Sequence, residues 1–253
     1  MLDKKQRLQS DEYAFPYHYL PVSANNPRLT RHWAFAPSYL AALSLVRDWL
    51  LLQEADPETQ AWKHIDIGCG DGALLFHLSE ALKDVKNVEL YGIDYDEQAL
   101  RWARIFNHRA KILEQEVKDL EPNVYDSASL VEVAEHIPPD SLPCFLDDVA
   151  NALRKNGHLL VTVPSVEKPL QAKHYQHFSF NSLQDYASDR FEVIAISGFE
   201  QHTALSKLLH LLMYRTSMRI ETPASARVMV RALGRLHSLQ NRCGRIFAVL
   251  RKK

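Results

Sequence analysis

The chain has only three cysteines in 253 residues, Cys69, Cys144 and Cys243. They are too few and too scattered to predict a disulfide framework or a cysteine zinc site. No hydrophobic run is long enough to span a membrane, and residues 1–7, MLDKKQR, have no apolar signal core. We find no internal repeat or low-complexity segment. These absences argue against a disulfide-rich secreted domain or a membrane protein, and we expect a cytoplasmic protein without a transmembrane segment.

Acidic residues are almost absent from the last part of the chain. From residue 201 onward eleven lysines and arginines face a single acid, Glu221, which gives +10 and leaves −11 for residues 1–200. Such a basic segment predicts contact with an acidic ligand, a nucleic acid or an anionic membrane surface. Arg227, Arg231 and Arg235 are spaced four apart on one face of a predicted helix, which is also the pattern of a solvated surface.

The most informative segment is HIDIGCGDG at residues 64–72. It predicts a short buried strand, then a tight turn in which Gly68, Gly70 and Gly72 let a ligand approach the backbone, then an apolar helix. The glycine spacing also matches the fingerprint of dinucleotide-binding proteins, so it does not distinguish between the two classes of cofactor. Asp66 favours S-adenosylmethionine over NAD, because a carboxylate here would repel a pyrophosphate and attract a sulfonium and an ammonium.

A second acid follows the next predicted strand. Residues 88–96, VELYGIDYD, place Asp94 about 20 residues after the glycine turn, where a ribose-binding carboxylate is expected. Asp94 can accept hydrogen bonds from both ribose hydroxyls. Asp96 begins a predicted helix and is expected to be its N-cap.

These segments together with EVAEHI at 132–137 resemble the class I S-adenosylmethionine-dependent methyltransferases. Within that class they are similar to the methyltransferase-domain group that includes ubiquinone-pathway O-methyltransferases. The likeness runs from about residue 64 to 164, and LRKNGHLLVTVP at 153–164 fits it as well. It implies cofactor contacts from Asp66, Gly68, Cys69, Gly70, Asp94 and Tyr95, adenine contacts from Glu116 and Val117, and a further contact from Glu132.

Strands alternate with helices after residue 64, which predicts an α/β protein with a doubly wound, mostly parallel, seven-stranded Rossmann-like sheet. The predicted strands lie near 64–68, 89–94, 111–114, 127–131, 158–163, 191–196 and 245–250. The predicted helices lie near 72–83, 96–107 and 141–154. By the resemblance, the last two strands form an antiparallel end of the sheet.

Two regions lie outside this predicted core, which we place at residues 61–199 with a final strand at 244–253. Residues 1–60 form an N-terminal extension with a predicted helix from Pro37 to Gln53. An aromatic cluster at 13–21 either caps the pocket or packs on the core. Residues 200–243 form a helical insert that we expect to cap the acceptor, because so long a connection is usually functional or disordered. Its apolar stretch, residues 205–214, argues against disorder.

The predicted chemical centre is EVAEH at 132–136, which follows the fourth strand at the edge where such sheets bind ligands. Methyl transfer from a sulfonium is an in-line displacement, so the enzyme must position the acceptor and deprotonate it if it is a hydroxyl. We predict His136 as the base, oriented by Glu135 or Glu132. The later segment KHYQHFSF adds His177, which we prefer to His174. The candidate catalytic residues are therefore His136, Glu135 and His177.

A divalent metal is an alternative interpretation of the same residues. Glu-x-x-Glu-His resembles the metal-binding element of ubiquinone-pathway O-methyltransferases and of small-RNA 3′-terminal 2′-O-methyltransferases. By that resemblance Glu132, Glu135, His136 and His177 would bind Mg, Mn or Zn, which lowers the pKa of an acceptor hydroxyl. The pattern also resembles family members that bind no metal, in which a carboxylate contacts the cofactor. We favour the metal-free interpretation.

The sequence thus predicts an S-adenosylmethionine-dependent methyltransferase that methylates the hydroxyl of a small-molecule or glycan-like acceptor. The basic segment favours an acceptor that is anionic or lipid-linked. RNA 2′-O-methylation is an alternative, although no separate RNA-binding module is present to support a nucleic-acid partner. A third hypothesis is an interaction protein that binds the cofactor without catalysis.

Overall fold

Strands and helices alternate along the chain. In the computed structural model, the described residues are 3–14, 16, 18, 36–53, 61–83, 88–201, 203, 208, 223–238 and 242–253. Their strands are β1 (Trp62–Ile67), β2 (Val88–Ile93), β3 (Ala110–Ile112), β4 (Tyr125–Val131), β5 (Leu153–Pro164), β6 (Phe191–Gln201) and β7 (Cys243–Lys252). Their helices are α1 (Lys4–Glu12), α2 (Ala36–Leu51), α3 (Ala73–Ala81), α4 (Glu97–Phe106), α5 (Leu142–Ala152), α6 (Phe180–Ala187) and α7 (Pro223–Leu233).

These strands form one sheet in the order β3-β2-β1-β4-β5-β7-β6. The first five are parallel, whereas β7 runs antiparallel to both β5 and β6. This arrangement confirms the predicted seven-stranded, mostly parallel, Rossmann-like sheet with an antiparallel end. The strand order reverses at β1, and ligands of such sheets bind beyond the carboxyl ends of the strands at that point.

Helices cover both faces of the sheet because its strands carry apolar side chains on both faces. One apolar cluster joins Ile65 and Leu130 to Leu146 and Val149 of α5. The other cluster contains buried residues of three helices, which are Leu43 and Val46 of α2, Leu74 and Leu78 of α3, and Met229 and Leu233 of α7. Helix α7 therefore contributes to the core, and the helix predicted at 37–53 is present as α2.

The predicted boundaries of α5, β5 and β6 are wrong. Helix α5 ends at Ala152 rather than 154, and β5 begins at Leu153 rather than near 158, because Leu153 already pairs with Tyr125 of β4. Strand β6 continues to Gln201 rather than 196, because Gly198 pairs with Ile246 of β7. The prolonged β6 ends at the same edge as the parallel strands, since it lies antiparallel to β7 and β7 lies antiparallel to β5.

Among the described residues, no helix has the length and hydrophobicity needed to cross a membrane. Most of the apolar stretch predicted at 205–214 lies outside the described residues, as does most of the aromatic cluster at 13–21. Leu208, which is described, is 51% exposed. The domain boundaries proposed from the sequence remain predictions.

Candidate active site

The glycine turn between β1 and α3 has the backbone that only glycine adopts at low cost. Gly68, Gly70 and Gly72 have φ angles of 74°, 55° and 84°, in the left-handed region. The amides of Gly68 and Cys69 both donate to the carbonyl oxygen of Ile93 at 2.9 Å, which ties the turn to the end of β2. A Cβ on Gly68 would lie 2.5 Å from Val133 Cγ2. The turn therefore has no space for a side chain at Gly68, and its backbone forms a cradle.

Residues of the N-terminal extension lie directly on this turn. The Tyr13 hydroxyl is so close to Gly70 that a Cβ there would lie 2.4 Å from it. His18 donates its backbone amide to Asp71 Oδ2 at 3.2 Å, and its Nδ1 lies 2.8 Å from Asp71 Oδ1. The His18 ring also stacks on Tyr39 of α2, with 4.4 Å between centroids. Sequence patterns gave no signal for Asp71, because the contact spans 53 residues.

Asp94 and Asp96 have separate roles after β2. Asp94 accepts the amide of Gly70 through Oδ2 and the amide of Asp96 through Oδ1, both at 2.8 Å. A carboxylate has about four acceptor positions, so Asp94 can still accept hydroxyl groups. Asp96 accepts the amide of Ala99 at 2.9 Å and is the N-cap of α4, as its sequence position indicates.

The electrostatics of the turn favour a cation. Asp66 and Asp71 are buried, and Asp94 is partly buried beside them. Burial, together with the charge of Asp94, raises the pKa of Asp66 to about 7. Burial likewise raises the pKa of Asp94 to about 6. A pyrophosphate would add negative charge to this group of acids, whereas a sulfonium and an ammonium would neutralise it.

We expect the affinity for S-adenosylmethionine to fall by about eightfold from pH 7.5 to pH 6, the ratio of ionised fractions for a pKa of 7. The pKa of Asp66 is raised in the folded protein from 3.8 to about 7. Between these two pKa values the folded protein without cofactor binds more protons than the unfolded chain, so its free energy of unfolding falls as the pH rises. Binding of the cofactor ammonium requires the ionised carboxylate, so the affinity rises with pH. Calorimetric titrations across this range test the prediction.

The matched control for this pH series is Asp66→Asn. It should bind S-adenosylmethionine more weakly at pH 7.5 and show a flatter dependence on pH. An equally steep dependence in Asp66→Asn would assign the proton to another group.

The remaining predicted cofactor contacts lie around the same edge of the sheet. Cys69 is buried within the turn, and burial with the nearby Asp94 raises the pKa of its thiol. Tyr95 follows Asp94 and is 52% exposed. Glu116 pairs with Lys118 at 2.6 Å, and Val117 packs partly buried on the core. The adenine contacts of Glu116 and Val117 remain predictions.

A cluster of ionisable side chains lies after β4. Glu135, His136 and His174 each offer a ligand atom, and these atoms lie within 4.8 Å of one another. Glu135 is 1% exposed, and neither of its carboxyl oxygens has a hydrogen-bond partner in the described part of the chain. Burial, with the charge of Glu132, raises its pKa well above the usual range. Two segments form the cluster, since the amide of Tyr175 donates to the carbonyl oxygen of Glu135 at 2.8 Å.

Carbonyl partners fix the tautomers of these histidines. His136 Nδ1 lies 3.3 Å from the Lys173 carbonyl oxygen, and His177 Nδ1 lies 3.1 Å from that of Lys168. Because a carbonyl only accepts, both Nδ1 atoms carry the proton. His177 Nε2 is then the acceptor of the 2.8 Å bond from His174 Nδ1. His136 and His174 are thus left with unprotonated Nε2 atoms.

Both histidines are neutral bases in this environment. Burial lowers the pKa of His136 to about 4, and burial with the nearby His136 and His177 lowers that of His174 to about 2. The structure thus brings His174 into the cluster with Glu135 and His136, and places His177 behind it as a hydrogen-bond partner. The spacing of the two histidines in the sequence does not reveal this order.

Glu132 lies outside this cluster. It has a left-handed backbone with φ 57°, and it accepts from Arg245 Nε at 2.8 Å and from Thr162 Oγ1 at 3.1 Å. Arg245 also pairs with Glu200, which Lys168 contacts at 3.1 Å. Arg245 lies 113 residues from Glu132, so no local pattern in the sequence indicates this ion pair.

Helix α1 packs over the segment that carries His174. Lys5 donates through Nζ to the carbonyl oxygen of His174, and the Tyr175 hydroxyl donates to Asp3. Glu12, at the other end of α1, pairs with Lys173 at 2.6 Å. The N-terminal extension therefore contacts both the glycine turn and the histidine cluster.

Comparisons with known proteins agree with this geometry. Residues 65–159 match the family model described as a methyltransferase domain. No curated protein is similar enough in sequence to match. The match covers the glycine turn, Asp94 and the Glu135 segment. It does not single out the ubiquinone-pathway enzymes, so that narrower resemblance stays a hypothesis.

Solved structures with the same fold include several S-adenosylmethionine-dependent methyltransferases. One from Thermotoga maritima, described as a possible histamine N-methyltransferase, is 17% identical, with 98% of this chain and 97% of that chain covered and a TM-score of 0.59. Another from Archaeoglobus fulgidus is 17% identical, with coverages of 85% and 94% and a TM-score of 0.56.

A magnesium protoporphyrin IX methyltransferase from Synechocystis, with bound S-adenosylhomocysteine, is 14% identical, with coverages of 87% and 86% and a TM-score of 0.55. At these identities the likeness shows the fold. The matched methyltransferase domain identifies the protein as a methyltransferase, and the acids at the glycine turn fit S-adenosylmethionine as its methyl donor.

Proposed function

We propose that this methyltransferase transfers the methyl group to a hydroxyl of a small-molecule or glycan-like acceptor. The observation that carries the proposal is the pair of neutral histidines, His136 and His174, which cluster with the buried carboxyl of Glu135 and whose Nε2 atoms carry lone pairs. A hydroxyl needs a base because it is a poor nucleophile at neutral pH. The bound cofactor supplies the electrophilic methyl group, and the chain supplies position and proton acceptance.

Each residue of the cluster has a distinct task in this proposal. His136 or His174 accepts the hydroxyl proton at Nε2. His177 holds His174 in the required tautomer by accepting its Nδ1–H. Glu135, which is buried without a hydrogen-bond partner among the described residues, lies beside both rings, and a positive charge on either ring would lower the raised pKa of its carboxyl group.

The test is methyl transfer from radiolabelled S-adenosylmethionine to a panel of phenols, sugars, amines and a short RNA with a free 3′ end. Labelling of hydroxyl acceptors and not of amines supports the proposal. Labelling of the RNA ribose alone would favour 2′-O-methylation, and labelling of amines alone would contradict O-methylation. Tight cofactor binding without turnover on any acceptor would favour the interaction protein.

A divalent cation at the cluster is a second candidate, favoured by a specific observation. The predicted metal set was Glu132, Glu135, His136 and His177, whereas the cluster in the structure consists of Glu135, His136 and His174. A buried carboxylate fits Mn or Zn together with two imidazole rings, each of which has one nitrogen held by a hydrogen bond and the other able to coordinate. A bound cation would lower the pKa of the acceptor hydroxyl.

We expect turnover to stay within about twofold after EDTA treatment, since two neutral histidines already provide general-base catalysis. Activity of the chelated enzyme, with metal content measured in parallel, tests this prediction. A loss of activity that Mg, Mn or Zn restores would establish the cation instead. In that case His174→Asn should lose bound metal, and the exposed His108→Asn should retain it.

The insert at 200–243 is proposed to select the acceptor and to favour one that is anionic or lipid-linked. β6 ends and β7 begins at the ligand edge, so the insert starts and returns there. Arg227 and Arg231 of α7 line a cleft of about 570 Å³ with Arg47 of α2 and His77 of α3. Asp48, the one acid among the described residues that line the cleft, pairs with Arg47 at 2.6 Å. The net charge of +10 over residues 201–253 supports an anionic acceptor.

Changing Arg227, Arg231 and Arg235 together to glutamine should raise the acceptor KM by about three- to tenfold, because attraction of an anion weakens with the lost charge. The Kd of S-adenosylmethionine should stay within about twofold, since the glycine turn and Asp94 are untouched. Steady-state kinetics over a salt series measures both quantities.

A triple change with the same loss of charge, Arg101, Arg104 and Arg109 to glutamine, is the control for this prediction. It should leave the acceptor KM unchanged. An equal rise in both triple variants would show that only the net charge matters. No rise in either would mean that Arg227 and Arg231 of α7, and Arg235 two residues beyond its end, form only a solvated surface. We also keep the cytoplasm as the proposed location, because all three cysteines are free thiols.

A further inference from the structure

A chain of polar side chains runs through the otherwise apolar interface between β1 and β4. The parallel register of these strands sets His64 beside Ser127 and Asp66 beside Ser129. All four residues are at most 2% exposed. The neighbouring side chains on both strands, such as Ile65 and Leu130, belong to the apolar core. Buried polar groups in such a place are costly unless each is hydrogen-bonded.

Successive hydrogen bonds connect these residues in one line. Trp62 Nε1 lies 3.0 Å from Ser127 Oγ, and Ser127 Oγ lies 2.9 Å from His64 Nδ1. His64 Nε2 lies 3.1 Å from Ser129 Oγ, which lies 2.6 Å from Asp66 Oδ1. This chain of hydrogen bonds therefore begins at the start of β1 and ends at the Asp66 carboxylate next to the glycine turn.

The donors and acceptors determine the direction of this chain. The indole N–H of Trp62 only donates, so it gives its proton to Ser127 Oγ. The Ser127 hydroxyl then donates to His64 Nδ1, because burial lowers the pKa of His64 to about 3 and the ring has a single N–H. That N–H is on Nε2 and points to Ser129, whose hydroxyl donates to Asp66.

The opposite direction would leave a group unsatisfied. It would begin with a protonated Asp66 that donates to Ser129, and Ser127 would then receive protons from both Trp62 and His64. The hydroxyl hydrogen of the buried Ser127 would then have no acceptor among these residues, which would cost about 1–3 kcal/mol. Trp62 thus favours the direction that ends on an ionised Asp66.

We propose that His64 is a positioning residue for the cofactor's amino-acid group. It orients the Ser129 hydroxyl so that Oδ1 of Asp66 accepts a fixed hydrogen bond, while Oδ2, which the chain leaves out, receives the cofactor ammonium. This inference rests on the proposed cofactor role of Asp66. Neither His64 nor Ser129 belongs to the residues that the sequence marks as ligand contacts, and their effect passes through Asp66.

Two neutral thioethers separate this role from a purely structural one. S-adenosylhomocysteine carries the amino-acid group, whereas 5′-methylthioadenosine has the same nucleoside and sulfur without it. By calorimetry at pH 7.5, His64→Leu and Ser129→Ala should each raise the Kd of S-adenosylhomocysteine by about tenfold, the effect of losing one hydrogen bond to a charged group. The Kd of 5′-methylthioadenosine should stay within about twofold.

His64→Gln is the conservative control. Its amide oxygen can accept from Ser127 and its amide N–H can donate to Ser129, which preserves the direction of the chain. We expect it to bind S-adenosylhomocysteine within about threefold of the wild type.

Three results would overturn the inference. One is an equal rise in the Kd of both thioethers, which would show that the chain of hydrogen bonds only stabilises the fold. Another is unchanged binding of S-adenosylhomocysteine in Ser129→Ala, a variant that remains decisive if His64→Leu does not fold. The third is failure of the wild type to bind S-adenosylhomocysteine at all, which would refute the cofactor role of Asp66 as well and is thereby distinguished from the first two.

Discussion

His174→Asn or His136→Asn, whichever removes the general base, is expected to lower kcat by about 10²- to 10⁴-fold, the usual contribution of such a base. An asparagine side chain can still donate a hydrogen bond where Nδ1 donates now, to His177 or to the Lys173 carbonyl oxygen. It has no basic nitrogen to replace Nε2. The loss should therefore appear in kcat rather than in the cofactor Kd, which we expect to stay within about threefold. Transfer to the best acceptor of the panel measures it.

The pH profile separates a base from a structural histidine. A base with a pKa of about 4, as for His136, is unprotonated throughout the neutral range, so kcat should vary little above pH 6 in the wild type. His108→Asn, at an exposed position, is the matched control and should retain full activity. Wild-type kcat in both His136→Asn and His174→Asn would remove the histidines from the chemistry.

Asp94→Ala is expected to weaken the binding of S-adenosylmethionine by about 1.5–3 kcal/mol, the range for hydrogen bonds to a charged group. This corresponds to a rise in Kd of about 10- to 150-fold. The Asp94 carboxylate accepts the amide of Gly70 at 2.8 Å and would also accept the ribose hydroxyls, so its removal affects both contacts. Calorimetry with S-adenosylmethionine, and with NAD as the excluded cofactor, tests this expectation.

Asp96→Ala controls for damage to the same loop. Asp96 lies two residues further and caps α4, so its loss should cost about 1 kcal/mol of stability with little change in the cofactor Kd. Equal losses of affinity in both variants would mean that Asp94 acts only through the loop conformation. Binding of NAD in place of S-adenosylmethionine would contradict the cofactor argument from Asp66 altogether.

Short-range patterns in the sequence predicted the sheet and the cofactor edge. HIDIGCGDG combines strand, turn and helix signals within nine residues, and the φ angles of Gly68, Gly70 and Gly72 are those that such a turn requires. The cap at Asp96 was predictable for the same reason, because its partner lies three residues away. Element ends were less predictable, since Leu153 and Gly198 are held in strands by partners remote in the sequence.

Long-range contacts decided the details of the candidate site. The sequence favoured His177 over His174, but only the packing of the 173–177 segment against Glu135 shows which ring joins the cluster. The ion pair of Glu132 with Arg245 depends on the antiparallel placement of β7 beside β5. The contact of His18 with Asp71 depends likewise on how the N-terminal extension folds over the turn.

The sequence by itself therefore determined the class of fold, the cofactor and the positions of the acids that favour it, because these follow from periodicity, glycine spacing and charge within short windows. Only the tertiary structure decided which histidines share a site, which glutamate is neutralised by an arginine, and how His64 is linked to Asp66. The physical reason is that hydrogen bonds and ion pairs require atoms within about 3–4 Å, and residues distant in sequence reach that separation only once the sheet has formed.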